Sequence, residues 1–151
     1  MSFVRDSLTS LTASSDADWA GCPDDRRSTG GFLIYFGTNL LAWNSRKQNT
    51  VARSSTESEF KVVADVCVEL KWLSSMLREL GVTFVRPPHI WCDNVGAVYL
   101  STNPAFQART RHVEVDFHFV RDLVLRRLVT VSPLSTSDQV ADILTLSLIH
   151  I

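Results

Sequence analysis

Four acids have the most informative placement in the 151-residue chain: Asp16, Glu59, Asp93 and Asp142. Asp16 follows a short Thr-rich strand candidate around Leu8 to Ala13. Glu59 stands in the first turn of a long helix, Asp93 closes a short apolar strand, and Asp142 lies in a C-terminal helix. Carboxylates scattered along a chain but gathered at one end of a sheet supply the oxygen donors that a hard cation such as Mg²⁺ prefers. Two such ions about 4 Å apart position an attacking water and stabilise the leaving oxygen of a phosphodiester.

Each acid also has a local reading. In SDADWAG, Asp16 and Asp18 share a strand face, and Asp is a good turn residue, so either serves as a ligand or as a turn cap. In SSTESE, Thr56 precedes Glu59 by three residues, the spacing of a capping box, while Glu57 competes with Glu59 as the metal-facing acid. Other ligand types fit less well. Cys22, Cys67 and Cys92 are widely spaced and contain no CxxC pair, which argues against a zinc knuckle and for a reducing compartment. His112 and His118 are six residues apart, unsuited to an i, i+4 metal pair, and read as surface or core histidines.

The elements that must position these acids are visible as changes of period. GFLIYFGTNLLAWNS carries two apolar runs around Gly37, Thr38 and Asn39 and predicts a β-hairpin, with Gly and Asn at positive-φ turn positions. From Ser54 to Leu80, Phe60, Val63, Cys67, Leu70, Leu73, Leu77 and Leu80 recur every three or four residues, the stripe of a long helix that Gly81 ends. HIWC after Pro87 and Pro88 predicts a short buried strand running into Asp93 and Asn94. A helix over Val95 to Leu100 follows, then a polar helix over about Gln107 to Arg127, a strand in LVTVS, and a helix from Thr136 or Ser137 through Leu148. No internal repeat appears, and the order of elements predicts one mixed α/β layer structure.

Composition agrees with one domain. The chain is 45% hydrophobic and 21% charged with a formal net charge of −1, so nucleic-acid binding would need a local basic patch or bridging metal ions rather than a general positive field. The start has no export-signal pattern, and no apolar window reaches the length of a membrane span. The chain reads as unexported.

SDADWAG, DDRRSTGGF, SRKQNTVARSSTESEF, WCDNVGA, TRHVEVDFHFVRD and DQVADILT together resemble the ribonuclease H domain of copia-type (Ty1/copia) retrotransposon Pol polyproteins, over about residues 13 to 146 in the family's order. The resemblance implies an α/β ribonuclease H-like fold: a five-stranded mixed sheet, its first three strands antiparallel, flanked by helices. It implies a domain over 8–148, with 1–7 the remnant of a connection to an upstream reverse transcriptase and 149–151 a tail. It also implies a Mg²⁺-dependent endonuclease, using two ions with Mn²⁺ as a substitute, that cleaves the RNA strand of RNA·DNA hybrids. Its acid set matches Asp16, Glu59, Asp93 and Asp142 as catalytic metal ligands. The implied partners are the hybrid and the reverse transcriptase, with no membrane, and the implied location is a cytoplasmic retrotransposon particle or the nucleus.

Asn94, Ser55 and Gln48 are candidates for 2′-hydroxyl contacts by residue type, and Arg109, Arg111, Arg126 and Arg127 for phosphate contacts or a solvated face. Two departures from the family pattern stand out. DILTLSLIHI lacks the basic residue and proline that usually follow DILT, and PLSTSDQ has no histidine. The near-neutral charge motivates an alternative reading as a catalytically silent, retrotransposon-derived remnant that acts at most as a nucleic-acid-binding or interaction module. A DNA resolvase or integrase-like nuclease on the same fold is a weaker third.

Overall fold

The computed structural model describes residues 10–19, 26–49, 51–103 and 111–134, the side chains of 111–113 excepted. In chain order the elements are β1 (Leu11–Asp18), β2 (Thr29–Phe36), β3 (Asn39–Lys47), α1 (Ser55–Glu79), β4 (His89–Cys92), α2 (Val95–Thr102), α3 (Arg111–Leu125) and β5 (Thr130–Pro133). The strands form a five-stranded sheet of order β3-β2-β1-β4-β5. β1, β2 and β3 pair antiparallel, whereas β4 and β5 join parallel to β1 and to each other. The predicted mixed sheet and its flanking helices are therefore present.

The hairpin turn is the two-residue Gly37-Thr38. Gly37 has φ 63°, a left-handed conformation that glycine adopts without a Cβ penalty. Asn39 is not a positive-φ residue; it already belongs to β3. β1 is longer than its sequence predicts, running through Asp16 to Asp18, so Asp16 lies inside a strand rather than after one. The physical reason is the partner strand. Asp16 pairs with Gly31, and β2 holds the extended backbone in place against the weak strand propensity of Ser and Asp.

Alternation along β1 sends Leu11, Ala13 and Ser15 to one face, where Ala13 is flanked by Ile34 and Ile90. α1 packs there through Phe60, Val63, Val66, Cys67, Leu70, Leu73 and Leu77, and Phe117, Val120 and Leu123 of α3 extend the same core. The predicted stripe holds except at Leu80, which lies past the helix as its C-cap and is exposed. Gly81, at φ 93°, ends α1, and Val82 N–H closes the turn on Leu77 O at 3.0 Å.

The sheet and α1 approach closely at Gly30, where an added Cβ would lie 2.6 Å from Val62 Cγ2. α1 thereby comes down onto β2 close to the end of the sheet that carries the acids. No helix among the described residues is long and apolar enough to cross a membrane. The predicted C-terminal helix lies outside the described residues.

Candidate functional site

β1 and β4 run parallel with Ser15 opposite Cys92, so the next residue along each strand is an acid, Asp16 or Asp93. Carboxyl ends of neighbouring parallel strands are where α/β sheets present ligand groups. α1 brings Glu59 to the same place. Ligand atoms of Glu59, Cys92 and Asp93 lie within 4.8 Å of one another, the group among the described residues with metal-binding geometry. Glu59 is buried at 5% exposure and Asp16 at 6%.

Asp16 is not one of that trio. Strand alternation gives it the face opposite Ser15, whereas Ser15 and Cys92 share the face that α1 covers. Asp93 has left the strand at a bend, so alternation does not constrain it. Asp18, two residues beyond Asp16, takes the same strand face as Asp16 and is partly buried. Asp142 lies outside the described residues.

Two acids in the first turns of α1 have different surroundings. The helix is capped by Ser54, whose Oγ accepts from Glu57 N–H at 3.1 Å. Glu57 Oε2 in turn accepts from Arg53 N–H at 3.0 Å, and its Oε1 lies 3.7 Å from Lys61 Nζ. The cap is thus Ser54 on Glu57 N–H, with the Glu57 carboxylate turned back to Arg53 N–H one residue before the cap, not Thr56 with Glu59. The chain offers two overlapping frames of S/T-x-x-E, and the helix starts in the earlier one. Glu57 is committed to the cap, while Glu59, half a turn further, meets Asp93.

Cys92 is a member of the cluster that sequence reasoning missed; the signal was its position at the strand tip, directly before Asp93. Burial, with the Glu59 charge second, pushes its thiol up to about 12, so it is protonated at neutral pH. Glu59 and Asp93 contribute carboxylate oxygens beside it. Two carboxylates in one cluster are the donors that a hard divalent cation prefers.

The remaining candidates divide. Asn94 Oδ1 accepts from Ala97 N–H at 2.8 Å and caps α2, and Gln48 Nε2 donates to Ser58 O at 2.9 Å, so both amides have structural work. Ser55 opens α1 and is exposed. Arg126 pairs with Asp122 at 3.1 Å on a solvated face, and His118 lies 3.7 Å from Glu114. Arg127 is exposed, at φ 58° in the turn after α3. Arg109 and the side chains of Arg111 and His112 lie outside what is described. A cavity of about 430 Å³ that the sequence did not single out is lined by charges of both signs, Arg46 and Lys47 from the end of β3 and Lys61 from α1 against Asp65 and Asp116, with Gln48 forming the wall toward Ser58.

Comparison with known proteins agrees with this architecture. The chain is 50% identical over 136 residues to the retrovirus-related Pol polyprotein from transposon RE1 of Arabidopsis thaliana, a match covering 90% of this chain and 9% of that protein. It is 36% identical over 135 residues to the corresponding polyprotein from transposon TNT 1-94 of Nicotiana tabacum, covering 89% of this chain and 10% of that one. The chain therefore spans about a tenth of the length of these relatives. No protein-family model matches it. Among solved structures, LC11-RNase H1 isolated from compost aligns with a TM-score of 0.68 at 13% identity, covering 95% of this chain and 97% of that one. A structure of the same protein in complex with RNA/DNA hybrid aligns with a TM-score of 0.66 at 10% identity, covering 91% and 94%. At such identities the likeness speaks for the fold alone.

Proposed function

Starting from a chain that belongs by sequence with the retrovirus-related Pol polyproteins and has the ribonuclease H fold, we propose that it is a Mg²⁺-dependent endonuclease that cleaves the RNA strand of RNA·DNA hybrids. The observation that carries this reading is the convergence of Glu59 and Asp93 at the carboxyl end of β4, beside the end of β1 that bears Asp16. Glu59 and Asp93 would hold the cation, with Asp16 and Asp142 completing the proposed set of four carboxylates. When bound, Mg²⁺ supplies Lewis-acid stabilisation of phosphoryl oxygens and lowers the pKa of an attacking water.

The chain's own residues do the rest by placement. Glu59 is held on a helix anchored by its Ser54 cap and by the core beneath Phe60, and Asp16 on a strand paired on both sides. Rigid support of this kind keeps oxygen donors in position before substrate arrives, which lowers the reorganisation required during reaction. Arg46 and Lys47, at the end of β3, are the basic residues of that cavity wall that would meet backbone phosphates in a chain whose net charge is −1. Cleavage then leaves a 5′-phosphate and a 3′-hydroxyl.

The test is cleavage of a labelled RNA·DNA hybrid with and without Mg²⁺, using Asp93→Asn as control. The reading expects metal-dependent cutting by the wild-type chain and a loss of at least about 100-fold in the variant. Equal rates from both proteins would sink it. Hybrid binding without cutting would favour the alternative, a silent nucleic-acid-binding module, for which the near-neutral charge is the motive.

A further inference from the structure

Two carboxylates held close together repel each other, and the repulsion grows where water is excluded. Their separation must therefore be imposed by the elements that carry them. Glu59 and Asp93 come from α1 and from the bend after β4, and what joins these two places is a contact between helix amino ends. Thr56, in the first turn of α1, donates its hydroxyl to Asn94 Oδ1 at 3.3 Å. The same oxygen accepts from Ala97 N–H at 2.8 Å and so caps α2. One amide oxygen thus ties the start of α1 to the start of α2.

Gly96 makes the approach possible. A Cβ at Gly96 would lie 2.5 Å from Thr56 Oγ1, 3.0 Å from Thr56 Cγ2 and 3.1 Å from Asn94 Oδ1. A side chain could occupy this space only by displacing the Thr56 and Asn94 side chains from their contact. Thr56 and Glu59 are three residues apart on one helix and therefore share a face, while Asn94 directly follows Asp93. Any displacement at the Thr56–Asn94–Gly96 contact is passed to both acids through less than one turn of backbone.

We propose that Thr56, Asn94 and Gly96 form a clasp that sets the separation of the Glu59 and Asp93 carboxylates for a shared divalent cation. Thr56 and Asn94 are positioning residues and touch neither cation nor substrate. The inference rests on the reading of Glu59 and Asp93 as metal ligands, and it accounts for Thr56 standing apart from the helix cap: its hydroxyl is used across elements rather than along α1.

The experiment measures Mn²⁺ binding to the full chain by electron paramagnetic resonance, together with thermal melts. Thr56→Val removes the hydroxyl at nearly constant shape, and the expected result is about tenfold weaker Mn²⁺ binding. Gly96→Ala should weaken it by at least as much, and Thr56→Ser, which keeps the hydroxyl, should restore binding to within about twofold of wild type. Thr56→Val keeps the test valid should Gly96→Ala fail to fold. Wild-type Mn²⁺ affinity in folded Thr56→Val, alongside lost affinity in Glu59→Gln, would overturn the clasp while leaving the ligand reading intact. Wild-type affinity in Glu59→Gln would overturn the ligand reading and the clasp with it.

Discussion

The first turns of α1 and the remainder of that helix make opposite use of burial. From Phe60 to Leu77 the buried positions are almost all apolar, and they fill the layer between sheet and helix. In the preceding three residues the helix instead buries Glu57, Ser58 and Glu59. Burying carboxylates costs free energy unless hydrogen bonds, opposite charge or a metal compensates. For Glu57 the compensation is visible in Arg53 N–H and Lys61. For Glu59 the close neighbours include a second acid and a protonated thiol, an environment suited to a cation. The difference separates what the helix does for stability from what it does for chemistry.

The largest stability effect should come from the apolar part. Phe60 is 1% exposed, and Phe60→Ala should destabilise the chain by about 3–5 kcal/mol, read from urea unfolding. A loss below about 1 kcal/mol would mean that the core beneath α1 is not packed as described. Next comes the cap. Ser54→Ala should cost about 1 kcal/mol, because Glu57 N–H loses its acceptor, and the same unfolding curves measure it. A neutral result there would break the contrast between the two glutamates, since it rests on Glu57 belonging to the cap.

A polar group at the far end of the sheet gives a smaller, pH-dependent check. His89 Nδ1 bonds Thr130 Oγ1, and burial, followed by the nearby Arg86 charge, lowers the imidazole pKa below its ordinary 6.5. The folded chain therefore holds His89 neutral where the unfolded chain would take a proton. Stability is fully present above pH 6.5 and declines as pH falls through the lowered folded value. Thermal melts between pH 5 and 7 should show a flatter profile for His89→Gln than for wild type. Parallel profiles would mean that His89 titrates alike in both states.

Much of the fold was legible because its signals are periodic. The stripe from Phe60 to Leu77, the turn at Gly37 and the apolar HIWC strand each follow from spacing alone. What spacing did not give was frame. The overlapping Ser54–Glu57 and Thr56–Glu59 patterns are equivalent on paper, and packing of Thr56 against Asn94 selects the earlier one. The length of β1 was hidden for a related reason: Ser and Asp have weak strand propensity, and the pairing of Asp16 with Gly31 is a long-range fact. Of the predicted acids, Glu59 and Asp93 are brought together, Asp16 is placed one residue past the β1–β4 register, and Cys92 joins through tertiary contact that its residue type did not announce.

The most direct measurement of the central claim compares Glu59→Gln with Glu57→Gln in Mg²⁺-dependent cleavage of an RNA·DNA hybrid, each variant also assayed for stability. Glu59→Gln should lose at least about 100-fold in rate while its unfolding midpoint holds or rises, since a buried like charge near Asp93 has been removed. Glu57→Gln should keep cutting and lose stability instead. Cleavage by Glu59→Gln at the wild-type rate, or loss of cleavage confined to a stably folded Glu57→Gln, would contradict that claim.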